Sequence, residues 1–297
     1  LIVGQQSQEK MAQERLRFIR KYPIVSFFVL ASLLGSSIIL LVYQGVIPAA
    51  LALSSVLSAS GAGIIMTAIL DGKSGLKLLL SRLLIWRVGI GYWLFAVLFL
   101  VPVILFGSLF NSLFDGDPIS FDDLKLTIGI LPMFIVFTII TGLGQELGWT
   151  GFLLPRLQSR FGALFSSLIR CTLVVLWHIP LLIYSRLQPY AIPDFPYGEW
   201  IIQKGLMITL LTMVMVSLSW SILFTWLFNN THGSLLLVVI FHGSEIWLAY
   251  LIGTRSKNLD NLWGYDLVML LAAIIIVIAK GSQNLSRKHQ RIAYQSA

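Results

Sequence analysis

Glu146, His178 and His242 each lie inside a long apolar run of this chain. An acidic side chain at the centre of a membrane helix costs roughly +2.5–3.5 kcal/mol on the insertion scale, so those that persist usually pair with one another and act. A carboxylate can serve as general base towards water. Imidazoles can bind a metal through a ring nitrogen or donate hydrogen bonds to a developing oxyanion. One acid and two histidines together are equipped for peptide hydrolysis inside a membrane. They are too few for a closed structural zinc site, which takes four protein ligands. Each also has a plainer use. Glu146 can accept hydrogen bonds from neighbouring helices or pair with a histidine, and either histidine can be satisfied between helices.

The elements that must position these groups are helices. Of the 297 residues, 57% are hydrophobic and 11% charged, against about 25% charged in soluble domains. Several apolar runs approach the ~20 residues that a helix needs to cross the hydrocarbon. None shows the ~10-residue alternation of a lipid-facing barrel. Backbone groups in lipid must be satisfied internally, which selects helices. The sequence therefore predicts an all-α, polytopic membrane protein of about eight transmembrane helices in the lipid bilayer. Spans are expected over residues 24–43, 48–70, 88–110, 126–155, 171–184, 202–228, 235–252 and 267–279. Residues 71–75 read as a loop. Residues 76–86 mix Lys77 and Arg82 with leucines and read as an amphipathic helix on the membrane face.

The formal charge of +8 would invite nucleic acid on a soluble protein. Here the basic residues gather at span ends, so no nucleic-acid partner is expected and the charge reads as orientation. With a cytoplasmic N-terminus, segments 8–22, 71–87, 156–170, 229–231 and 280–297 lie inside and hold most of the Lys and Arg. The outer loops then hold Asp115, Asp117, Asp122, Asp123, Asp194, Glu199, Asp260 and Asp266. Both termini are expected in the cytoplasm. The domain plan is a cytoplasmic N-terminal segment (1–22), one helical membrane domain (23–280) and a cytoplasmic basic tail (281–297). Residues 1–10 read as an upstream extension or a processed end, without a cleavable signal peptide. The lone Cys171 allows no internal disulfide and reads as a small apolar residue.

Pro155 is expected to end the fourth span. Glu146, nine residues earlier, then lies about 13 Å into the bilayer at 1.5 Å per residue. The fifth span is expected to begin just after Arg170, whose charge is assigned to the interface. His178 and, on the seventh span, His242 then lie about 12 Å deep. Three helices thus bring their polar groups to one level. Glu245, three residues after His242 on an adjoining part of the same face, is an accessory candidate. His232 sits at a turn and is expected to be solvated.

The string Gln145-Glu146-Leu147-Gly148-Trp149-Thr150-Gly151-Phe152-Leu153-Leu154-Pro155-Arg156-Leu157 resembles the signature of the CPBP intramembrane metalloproteases. This family contains the CAAX prenyl endopeptidases and bacteriocin-processing enzymes. Its first motif is E-E-x-x-x-R. Its second, F-x-x-x-H, resembles Val174 to His178, and its third, H-x-x-x-N, resembles His242 to Ile246. The likeness covers residues 126–250. It implies a helical membrane protease in a bacterial plasma membrane, cleaving a membrane-bound or prenylated peptide. In that family the first Glu activates water, while two histidines and an Asn hold the oxyanion or a divalent metal, usually zinc. Carried over, the resemblance implies a catalytic set of Glu146, His178 and His242, with Gln145 at the degenerate base position. Trp149 and Glu245 are accessory, and His178 and His242 are the metal ligands.

The chain departs from the pattern at Gln145 for Glu, Thr150 for Arg, Ile246 for Asn and Val174 for Phe. Gln145 cannot take a proton from water. Two functions follow as expectations: a peptidase in which Glu146 assists water attack, or an inactive relative that binds a peptide or partner as an immunity or scaffold protein. A transporter is a more distant third, because buried ionisable residues also line ion paths.

Overall fold

The computed structural model describes residues 2–113, 130–188, 205–255, 262–286 and 291–294, and every regular element among them is helical. In chain order these are α1 (Ile2–Lys21), α2 (Pro23–Tyr43), α3 (Ser58–Ser81), α4 (Ile90–Leu98) and α5 (Leu100–Leu113). They continue as α6 (residues 130–158), α7 (Ala163–Leu187), α8 (Leu206–Asn230), α9 (Leu235–Arg255) and α10 (Leu262–Lys280). Of the acidic residues expected in outer loops, Asp115, Asp117, Asp122, Asp123, Asp194, Glu199 and Asp260 lie outside the described residues, whereas Asp266 is not in a loop but buried in the first turns of α10.

The protein is an all-helical integral membrane protein. Among the described residues, four segments are long and apolar enough to cross a bilayer: Pro23–Tyr43, Ala49–Leu84, Ala163–Leu187 and Leu206–Asn230. A fifth forms if α4 and α5, bent by 43°, make one span. The described residues therefore do not reach the expected eight. α6 is interrupted, and the described part of the seventh expected span, Leu235–Glu245, is apolar.

Three expectations are corrected. The loop at 71–75 contracts to one residue: α3 continues through it and breaks only at Gly72 (φ 63, ψ −154), a conformation that needs a glycine. Pro155 does not end its helix, because α6 runs on to Gln158. The proline stands in the first turn of the terminal α-helical piece, where a missing N–H costs least. Finally, residues 163–170 are no surface segment. They are the first two turns of α7, and Arg170 is 3% exposed. Its charge stays in the bundle because other groups there compensate it.

α6 is an uneven rod. Wide π-type turns at Thr138–Leu143 and Leu147–Leu153 flank a short α-helical piece at Gly144–Glu146. Such bulges rotate the residues they flank and occur often at functional sites. Small residues then let the neighbouring helices approach closely, as is usual between helices in membranes. A Cβ added at Gly148 would meet the Ala59 carbonyl of α3 at 2.1 Å, and one at Gly142 would meet the Val239 carbonyl of α9 at 2.3 Å. One added at Gly243 of α9 would meet Thr138 at 2.2 Å. The last two lock α9 against α6 on either side of His242. Gly148→Ala therefore forces α3 and α6 apart. Its expected outcome is a large drop in monodisperse yield on size-exclusion chromatography in detergent, whereas Gly61→Ala, with nothing within 4 Å, leaves the yield unchanged.

Behind α6, Phe27, Trp149, Phe152 and Trp177 form a buried aromatic core. Trp149 meets Phe27 edge-on at 5.3 Å and Trp177 at 5.6 Å. The far end of α6 is tied to the tail. Asp71 accepts hydrogen bonds from Arg156 (2.5 Å) and from the Tyr294 hydroxyl (2.5 Å). The Arg156 guanidinium lies between the Phe152 and Tyr294 rings, 3.8 and 4.1 Å from their centroids. Burial and the bond to Asp71 push the Tyr294 phenol above its usual range. These ties fix the axial position of the rod that carries Glu146.

Candidate functional site

Glu146 is fully buried, and both of its oxygens are engaged. Arg170 Nη2 of α7 donates to Oε1 and to Oε2, each at 3.0 Å. The Thr150 hydroxyl, one turn along α6, donates to Oε2. His242 Nδ1 of α9 donates to Oε1 at 2.9 Å. Three helices thus converge on one carboxylate. A buried ion pair is retained only when further hydrogen bonds satisfy its remaining groups, and this one has them. Glu146 is a hub whose oxygens are occupied by these contacts from Arg170, Thr150 and His242.

The hub fixes a tautomer. Because Glu146 accepts, His242 carries its proton on Nδ1, and a neutral ring then has its lone pair on Nε2. His178 is set the same way by its own helix: its Nδ1 donates to the Val174 carbonyl at 2.8 Å, which also leaves Nε2 as acceptor. The ring stands edge-on to Trp177 at 4.6 Å, and Trp177 Nε1 donates to Ser58 Oγ at 3.1 Å. His178 borders a narrow cleft with Gly35, Ser55, Trp177 and Pro180, and it lies within Coulombic reach of His242. The His242 ring, 5.3 Å from that of Phe224, keeps 12% of its side chain exposed.

The remaining candidates fall around this group. Gln145 is 6% exposed, and its amide makes no hydrogen bond among the described residues. Glu245 follows one turn along α9, within Coulombic reach of His242 and of Asp266. Trp149 is wholly buried in the aromatic core rather than lining the cleft. The Ile246 side chain lies outside the described residues. His232 is exposed at the α8–α9 turn with a left-handed φ of 56. Cys171 is buried beside the Val214 carbonyl.

Sequence reasoning missed Arg170 and Ser221. Arg170 Nη1 donates to Ser221 Oγ of α8 at 3.0 Å, and its guanidinium lies 4.9 Å from the Phe224 ring centroid. Helical spacing could have found it, since Arg170, Val174 and His178 recur every four residues and so share one face.

Among the described residues no three His, Cys, Asp or Glu side chains are grouped to hold a metal ion. His178 and His242 offer two ring nitrogens, whereas a catalytic zinc takes three protein ligands. Glu146 has no oxygen to spare for a third. Among the described residues, this donor set does not complete a zinc site.

The family model described as type II CAAX prenyl endopeptidase Rce1-like matches residues 127–248, which include Gln145, Glu146, Thr150, Arg170, His178, Ser221 and His242. CAAX prenyl protease 2 of Methanococcus maripaludis is 27% identical over 150 residues, covering 49% of this chain and 51% of the relative. The chain thus spans about half the length of the curated relative that it matches.

Proposed function

We propose, for a chain whose residues 127–248 match the Rce1-like type II CAAX prenyl endopeptidase model, that it is an intramembrane peptidase in which His242 is the general base. The observation that carries this reading is the 2.9 Å bond from His242 Nδ1 to Glu146. A carboxylate on Nδ1 holds the imidazole in the tautomer that can accept a proton at Nε2, and it stabilises the imidazolium that forms. The substrate class is a membrane-associated peptide, such as a prenylated C-terminus.

The reaction balances as follows. Water attacks the scissile carbonyl carbon and gives its proton to His242 Nε2. His178 Nε2 accepts a hydrogen bond from the other water hydrogen, which stays on the attacking oxygen, and so orients the attack. The carbonyl oxygen becomes an oxyanion, and the Gln145 amide donates to it. The C–N bond then breaks, and His242 returns its proton to the leaving amine. Gln145 thus takes a donor's part where the family motif has an acceptor. The reading assigns no step to zinc, since two nitrogens do not complete its ligand set.

Loss of one oxyanion donor typically costs about 10²–10³ in kcat. Gln145→Ala is expected to lose kcat on that scale with KM nearly unchanged, measured as release of the C-terminal product from a farnesylated peptide in detergent. Unchanged kcat removes Gln145 from the mechanism. The absence of cleavage by the unmodified protein, with the peptide still bound, favours the second reading, a non-catalytic peptide binder. What speaks for that reading is the replacement of the family's Glu by an amide that cannot accept a proton.

A further inference from the structure

Glu146 ends up with a guanidinium partner although the family's arginine is missing from its own helix. In E-E-x-x-x-R the arginine stands one turn after the second Glu, where residues four apart share a face. Here that position is Thr150, wholly buried and spending its hydroxyl on Glu146. The cation comes from α7 instead. We propose that Arg170 is the positioning residue of this site: the charge has moved from α6 to α7, and Thr150 is the companion change that makes room for it. The role assigned here rests on the peptidase reading above, because Arg170 acts through Glu146 on His242.

Three observations carry the inference. Arg170 Nη2 lies 3.0 Å from both Glu146 oxygens, so it bridges the carboxylate and sets its plane. Its other terminal nitrogen is held by Ser221 and its flat face by Phe224, which puts groups from α6 and α8 around a guanidinium borne on α7. Its Nε–H has no hydrogen bond among the described residues, so the group is gripped from its terminal nitrogens alone. That geometry suits a cation reaching across from a neighbouring helix. The consequence reaches the chemistry in two steps. Arg170 fixes the Glu146 carboxylate, and the carboxylate fixes the Nδ1–H tautomer of His242. Without Arg170 the carboxylate can swing, and the imidazole loses its register.

If the charge is what matters, and not Arg170 as a packing element, returning it to position 150 must repair its loss at 170. The test compares Arg170→Met, Thr150→Arg, the double variant and Arg170→Lys in the full chain in detergent, with ¹⁵N-labelled histidine. Two readouts are taken: the His242 ring ¹⁵N shifts, which report the tautomer, and kcat and KM for the farnesylated peptide. Arg170→Met is expected to abolish the Nδ1–H signature of His242 and to lower kcat about 10- to 100-fold, the scale on which loss of an outer hydrogen-bond partner acts on the histidine it orients. Arg170→Lys recovers part of both. The double variant recovers the His242 signature and most of kcat, while Thr150→Arg alone, with two cations on one carboxylate, does worse than the double.

A double variant no better than Arg170→Met overturns the proposal, as does an Arg170→Met protein whose His242 shifts match those of the parent. Should Arg170→Met fail to fold, the double variant alone decides: recovered protein with the parental His242 signature supports relocation, and no recovery refutes it. Should the parent show no cleavage, the peptidase reading fails. The His242 shifts still decide whether the cation has moved.

Discussion

His242→Ala is expected to lower turnover of a farnesylated peptide by about 10²–10⁴, the range contributed by a positioned general base. Gln145 cannot accept a proton, and the Glu146 oxygens are filled by Arg170, Thr150 and His242 itself. His178 has an acceptor nitrogen too, but a backbone carbonyl holds its other side, which gives an imidazolium less support than a carboxylate. His178→Ala should therefore cost less than His242→Ala. Turnover by product release, with folding checked by size-exclusion chromatography, measures both. Equal rates for the His242 variant and the parent would end the assignment of the base.

Glu146→Ala should be the most destabilising change at the centre. It strands Arg170, 3% exposed, with Ser221 as its one remaining hydrogen-bond partner among the described residues, and it takes the acceptor from Thr150 and His242. Removing one partner of a buried pair costs about 3–5 kcal/mol. Glu146→Gln keeps an oxygen acceptor and should cost less, yet it removes the charge that supports the His242 imidazolium. The prediction is thus a split. The Ala variant falls sharply in thermal midpoint in detergent, while the Gln variant keeps most of its stability and loses activity. Midpoints for both variants indistinguishable from the parent would show that Glu146 is not the hub.

What was legible in the sequence was what lipid makes expensive. Glu146, His178 and His242 stood out because each interrupts an apolar run, and the helices carrying two of them meet at one carboxylate. The helical class followed from the same physics. Arg170 was misread for an instructive reason: an isolated cation belongs at the interface, but this one is compensated by residues 24 and 51 positions away, and no local pattern announces a partner that distant. Pro155 was misread because a proline costs nothing extra in the first turn of a helix, and the wide turns before it make such a place inside an apparently continuous rod. Those wide turns were themselves unreadable. They lie where Gly142 and Gly148 pack closely against α9 and α3, which is tertiary information.

Whether an imidazole held by a carboxylate drives peptide cleavage here is tested most directly by incubating the purified parent and His242→Ala, each in lipid nanodiscs, with a farnesylated peptide and following the C-terminal product by mass spectrometry. The account predicts product from the parent and close to none from the variant. An intact peptide in both samples, or equal product in both, would contradict it.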